Sequence, residues 1–128
     1  MSLVNFGRGD SKPSELGQTA ENMACAFLRR HGLRLIERNY RCPRGEIDLV
    51  MQDGEQLVFV EVRYRRGGAF GGPQESITAK KQARLLAAAR HYLATHSGDP
   101  ACRFDVIALS GEGYQTLDWI RDAFRPLD

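Results

Sequence analysis

The segment from Gly45 to Arg66, GEIDLVMQDGEQLVFVEVRYRR, constrains the fold more than any other stretch of this chain. Two runs of apolar and alternating residues flank Asp53-Gly54-Glu55-Gln56, the pattern of a β-hairpin closed by a tight turn. Side chains alternate across a strand, so Ile47, Leu49 and Met51 are expected on one face, continued across the hairpin by Val58, Val60, Val62 and Tyr64. That face reads as core.

Around this hairpin the chain divides readily. Residues 1–13 hold two glycines, a proline and polar residues without periodicity and read as a frayed arm; residues 14–128 read as a single domain, since 128 residues at 42% hydrophobic supply one core and not two. After a Ser14 cap, Leu16, Ala20, Met23, Ala24, Phe27 and Leu28 recur at helical spacing, and Arg29, Arg30, His31 and Gly32 end the helix. Leu33 to Arg41 reads as a strand, and Pro43, Arg44 and Gly45 as a break. Beyond the glycine-rich stretch Gly67 to Pro73, a second helix capped by Ser76 turns Ile77, Leu85, Ala88, Ala89, Tyr92 and Leu93 inward. Cys102 to Ser110 is a last clear strand, followed by a short strand near Gln115 to Leu117 and a small amphipathic ending with Trp119, Ile120 and Phe124. The expected class is α/β, a mixed sheet flanked by helices in the order α-β-β-β-α-β.

The second face of the hairpin carries the chemistry. It holds Glu46, Asp48 and Val50 from one strand and Leu57, Phe59, Glu61 and Arg63 from the other, so its far end gathers three carboxylates and a guanidinium. A four-residue loop sets Asp48 opposite Glu61; a two-residue Asp53-Gly54 turn sets Glu46 there with Asp48 diagonal. Either register brings the acids within about 5 to 8 Å of each other. Like charges so placed repel, and a divalent cation is the usual reason for them; hard oxygen ligands suit Mg²⁺ or Mn²⁺. The bland alternative is a strand end whose acids pair with Arg63, Arg65 or Arg41. On the first helix Glu21 lies at the edge of the apolar stripe, beside Leu28 and Gly17, and can lean toward the sheet. On the second, Lys81 and Gln82 fall in the inward sector about Leu85; a snorkelling stem is the competing account of Lys81.

Gly17 with Glu21, then Arg38-Asn39-Tyr40, GEIDLV, FVEVRYRR, Lys81-Gln82 and Arg103-Phe104-Asp105 together resemble the YraN family, an uncharacterised bacterial group designated UPF0102, over about Leu16 to Phe124. That family is in turn similar to the PD-(D/E)xK nuclease superfamily, especially to archaeal Holliday junction resolvases. The resemblance implies a restriction-endonuclease-like fold, an acidic metal site of Glu21, Asp48 and Glu61, and a metal contact from the carbonyl of Val62. The chain departs from the superfamily motif at Arg63, which replaces the terminal Lys; guanidinium stabilises charge but is no general base. Lys81 on the second helix stands ready to take that place, a migration the superfamily tolerates.

These readings converge on a metal-dependent nuclease acting on DNA, with Asp48, Glu61, Arg63 and Lys81 as catalytic groups and Mg²⁺ or Mn²⁺ as the cofactor. Arg41, Arg44, Arg65, Arg66, Lys80 and Gln82 are then the expected nucleic-acid contacts, and a homodimer suits the two-fold symmetry of a branched substrate. The rival is a catalytically inactive nucleic-acid-binding or assembly module of the same fold; a protein-interaction domain without DNA affinity is the third. A formal charge of +2 excludes a generic basic DNA coat, although fifteen of the eighteen basic residues are Arg, whose planar fork suits phosphate. Serine-nucleophile and phosphate-loop signatures are absent, and no organic cofactor is expected. Three cysteines without paired spacing predict reduced thiols. No apolar run reaches membrane-spanning length and the first residues lack a signal peptide's apolar centre, so a cytoplasmic protein is expected. His31, His91 and His96 are expected at helix ends or surfaces, Trp119 and Tyr114 in the core or its rim, and Arg103 with Asp105 as a buried pair.

Overall fold

The computed structural model describes residues 15–65, 77–96 and 98–125. Five strands form one mixed sheet in the order β1-β2-β3-β4-β5, with α1 (Glu15–Arg30) on one face and α2 (Ala79–Thr95) on the other. The strands are β1 (Arg34–Cys42), β2 (Gly45–Asp53), β3 (Gln56–Arg65), β4 (Cys102–Ser110) and β5 (Thr116–Phe124). Pairing is antiparallel throughout except between β3 and β4, which run parallel because α2 carries the chain back across the sheet. The α/β class and the first six elements are as read from the sequence. The arm 1–13, Ser14, Arg66, the glycine-rich stretch and Ser76 lie outside the described residues.

Helix α1 ends as its sequence dictates. Gly32 takes φ 93°, and the N–H groups of Gly32 and Leu33 donate to the carbonyls of Arg29 and Leu28, closing the last turn. The residue facing the sheet in its first turn is Gly17, which is buried, whereas Leu16 is exposed. Helix α2 is capped by Thr78, whose hydroxyl accepts from Lys81 N–H, so the cap sits two residues beyond the expected Ser76; Ile77, just before the helix, is still buried.

The largest departure is at the C-terminal end, where a nine-residue strand replaces the expected short strand and amphipathic ending. Leu117 and Trp119 pack on the α1 side and Ile120 on the α2 side, as a strand requires. Asp122 then adopts φ 52°, and both Ala123 and Phe124 join the α2 side. The kink gives Trp119, Ile120, Ala123 and Phe124 a spacing that imitates a helix.

The core is two layers. Leu49, Met51, Val58, Val60 and Val62 pack with Ala20, Ala24 and Leu28 of α1; Val50, Leu57 and Phe59 pack with Leu85, Ala88, Ala89 and Tyr92 of α2. One residue leaves the predicted inner face. Ile47 packs on the α2 side, because strand alternation breaks where Asn39 of β1 takes φ 53°. Tyr64 stays on the expected face, edge to face with the buried Tyr114, but is 41% exposed. Cys25 and Cys42 are buried and Cys102 exposed, all as free thiols. Among the described residues no helix is long and apolar enough to cross a membrane.

Candidate functional site

The hairpin register follows the sum set by Asp53↔Gln56, Gln52↔Leu57 and Leu49↔Val60. This is the first of the two registers read from the sequence, and one further step along it places Asp48 against Glu61. Regular pairing stops at Leu49, and the Asp48 carboxylate takes over: its Oδ2 accepts the N–H of Val62 at 2.7 Å. Asp48 is thus fastened to β3 by the backbone of the residue after Glu61.

Four acids surround this point. Burial first, then the neighbouring charges of Glu61, Glu21 and Glu46, push the Asp48 carboxyl well above the usual carboxylate range, against the lowering effect of the Val62 N–H. Glu61 is also raised, chiefly by burial, with Lys81 and Arg63 opposing. Its Oε2 lies 3.7 Å from Lys81 Nζ, and the Lys81 side chain is 56% exposed. The second helix therefore does bring a cation to ion-pair distance of a sheet acid, from an exposed position.

Glu21 reaches the same neighbourhood from α1. It is 7% exposed, its carboxyl raised by burial, and held by a hydrogen bond with the Asn39 side chain and by Arg38, whose Nη2 is 3.8 Å from Oε1. Arg38 is itself oriented by Asn22 Oδ1 at 2.7 Å. Glu21 Oε1 and Arg38 Nε are nonetheless buried without a hydrogen-bond partner. Glu21 Oε1 thus faces the Arg38 guanidinium at ion-pair distance without a hydrogen bond, which leaves it room for a further partner.

The remaining expected residues divide. Arg44, Arg65 and Lys80 are exposed; Arg63 is half-buried near Glu61. Arg41 is half-buried and donates to Glu46 Oε1 at 3.3 Å, so its charge is directed at the acids. Gln82 Nε2 donates to the carbonyl of Ile77 at 2.9 Å, closing the first turn of α2. Val62 is buried. Arg66 lies outside the described residues. Among the described residues no three His, Cys, Asp or Glu side chains converge closely enough to ligate one ion together.

Three contributors had no role assigned from sequence. Arg38 and Asn39 form the inner support of Glu21; a polar pair inside a strand that should carry apolar side chains was the available signal. Gly45 is buried where α2 crosses the sheet, and a Cβ there would lie 1.9 Å from the Arg84 carbonyl oxygen. Nothing in Pro-Arg-Gly distinguishes that contact from an ordinary turn. The histidines fall where expected: His31 and His96 Nδ1 contact the carbonyls of Phe27 and Tyr92, and His91 meets the Tyr40 hydroxyl.

Similarity to known proteins covers this whole arrangement. The model of the uncharacterised protein family UPF0102 matches residues 20–109. A UPF0102 protein of Nitrosococcus oceani is 55% identical over 112 residues, 85% of this chain and 90% of the relative. Others from Nitrosomonas europaea and Ectopseudomonas mendocina are 52% and 50% identical, each across 89% of this chain and 97% and 98% of their own lengths.

Proposed function

This chain belongs to the uncharacterised protein family UPF0102, and from that premise we propose that it is a metal-dependent endonuclease hydrolysing DNA phosphodiesters at the Asp48–Glu61 edge of the hairpin. One observation carries the reading. Acids from three elements crowd about a point where burial and neighbouring carboxylates raise Asp48, Glu61 and Glu21 together, and a divalent cation is the partner that relieves all three. Glu21 Oε1, buried without a hydrogen bond and 3.8 Å from Arg38, supports the same fit.

Asp48 and Glu61, with Glu21 and the Val62 carbonyl, would hold Mg²⁺ or Mn²⁺, which when bound supplies a water of lowered pKa and charge neutralisation at phosphate. Water and phosphate oxygens complete such a shell. The chain's own cations do the rest. Lys81, exposed at its head and 3.7 Å from Glu61, can lean to a phosphate oxygen and offset the charge that grows as the bond breaks. Arg63 donates in a plane to the same phosphate but takes up no proton. Arg44, Arg65 and Lys80 contact flanking phosphates, while Arg41 and Gln82, engaged with Glu46 and Ile77, hold the site's shape and are withdrawn from the set of primary contacts.

The test is cleavage and binding of linear, flapped and four-way DNA across a titration of Mg²⁺ or Mn²⁺. Asp48→Asn and Glu61→Gln should each reduce cleavage at least about a hundredfold while salt-sensitive binding persists. Salt-sensitive binding without metal-dependent cleavage in the wild type would instead establish the binding module, and no salt-dependent binding the protein-interaction domain.

A further inference from the structure

The contact between Arg38 and Glu21 inverts the usual preference of a guanidinium. Arg38 Nη2 donates to the neutral carboxamide oxygen of Asn22 at 2.7 Å, while the carboxylate oxygen Glu21 Oε1 lies 3.8 Å from the same nitrogen. Hydrogen bonds to a carboxylate are shorter and roughly twice as strong as those to a neutral acceptor, so a guanidinium free to choose takes the carboxylate. Here it does not, and each group is left short: Glu21 Oε1 and Arg38 Nε are both buried with no hydrogen-bond partner.

The surroundings show what holds the two apart. Glu21 and Asn22 are neighbours on α1, the first buried and the second exposed. Arg38 comes from β1, where it stands opposite Leu49 in the ladder, so its side chain is the part able to move. Glu21 is held separately by the Asn39 side chain. Closing the pair to an ordinary charge-assisted distance takes a shift of only about 1 Å, and the bond to Asn22 draws the guanidinium the other way.

That separation has a use at a cation site. A guanidinium at ion-pair distance still offsets the charge of Glu21, but one bonded to it would occupy the oxygen that a metal needs, and the metal would have to displace a charge-assisted hydrogen bond. A carboxamide oxygen suits the task, because it accepts from the guanidinium without bringing a charge of its own.

We propose that Asn22 is a positioning residue of the candidate site, holding Arg38 off Glu21 so that the Glu21 carboxylate stays open to a divalent cation. This rests on the metal-site reading above and adds how one of its ligands is kept available.

The experiment is Mn²⁺ binding to the full chain without DNA, followed by the paramagnetic resonance signal of free Mn²⁺, together with the NMR resonances of the arginine Nε–H groups in metal-free protein. Asn22 is exposed and Ala suits a helix better than Asn, so Asn22→Ala keeps the fold. It should weaken Mn²⁺ binding about tenfold, the worth of one hydrogen bond to a charged group, and should move the Arg38 Nε–H resonance as the guanidinium closes on Glu21. Asn22→Asp, which keeps the acceptor, should bind Mn²⁺ at least as tightly as wild type. On an Arg38→Gln background Asn22→Ala should have no further effect, because no guanidinium is left to close. Unchanged affinity in Asn22→Ala, or an equal loss with and without Arg38, overturns the proposal, and the metal-site reading stands if Asp48→Asn abolishes the binding. A wild type that takes up no Mn²⁺ overturns both.

Discussion

Gly45 shows how one missing methyl group positions the acids. Its buried Cα faces the Arg84 carbonyl, and the 1.9 Å that a Cβ would leave is far inside contact distance with backbone that cannot rotate away. Gly45→Ala must push α2 off β2, at a cost of about 3 kcal/mol or more, read as a lowered urea midpoint with the m-value retained. Displacing α2 also carries Lys81 away from Glu61. The neighbouring residues illustrate what could be read in advance. Asp48 and Glu61 were legible because alternation fixes the face of every residue in a hairpin. Lys81 was legible because a helical wheel fixes its sector. Arg38 and Asn39 were quoted as part of a motif but had no role, because the left-handed turn at Asn39 that brings them to Glu21 leaves no periodic trace.

At the scale of elements, β4 and β5 are joined by a buried carboxylate that stands outside the candidate site. Asp105 is fully buried and accepts from Arg103 Nε at 3.0 Å, from Trp119 Nε1 at 3.0 Å and from Asp122 N–H at 2.9 Å. Arg103 continues to Asp53 and Gln56 at the hairpin turn, both at 3.0 Å, so the network ties β2, β3, β4 and β5 at one end of the sheet. Breaking a buried, paired charge on one side costs about 3 to 5 kcal/mol. Asp105→Ala should therefore lower the free energy of unfolding by that order, and Asp105→Asn by less, in chemical denaturation. The Arg103–Asp105 pair was expected from sequence; Trp119 and Asp122 were not, because the apolar spacing of the last residues imitates a helix until the Asp122 kink is known.

For the molecule as a whole, the acidic notch makes stability depend on pH in a direction opposite to that of salt-bridged acids. Asp48, Glu61 and Glu21 have carboxyls raised in the folded state, so the native protein binds more protons than the unfolded chain just above the ordinary carboxylate range. Stability from this cluster is present at acid pH and is lost as pH rises from about 4 through the raised folded values. Asp48→Asn should thus match wild type near pH 4 and exceed it by on the order of 1 to 2 kcal/mol near pH 7, measured by thermal melts without metal. Mn²⁺ should raise the wild-type Tm increasingly as pH climbs above the ordinary carboxylate range and protons leave the raised carboxyls, and should do so little in Asp48→Asn. Equal Mn²⁺ effects in the two proteins would remove the metal from the account.

A mixed sheet was legible from the order of the elements, while its strand order and its two margins were not. Those margins share a device. The outer strands β1 and β5 each contain one Asx residue in the left-handed region, Asn39 at φ 53° and Asp122 at φ 52°. Each serves a buried acid, Asn39 through its side chain to Glu21 and Asp122 through its N–H to Asp105. Both kinks interrupt the straight row of amide groups that an outer strand otherwise offers to a neighbour. The turns that settle Glu21 and Asp105 thereby also spoil the molecule as a template for edge-to-edge aggregation, so the seating of two buried acids and the protection of two sheet margins rest on the same two backbone angles.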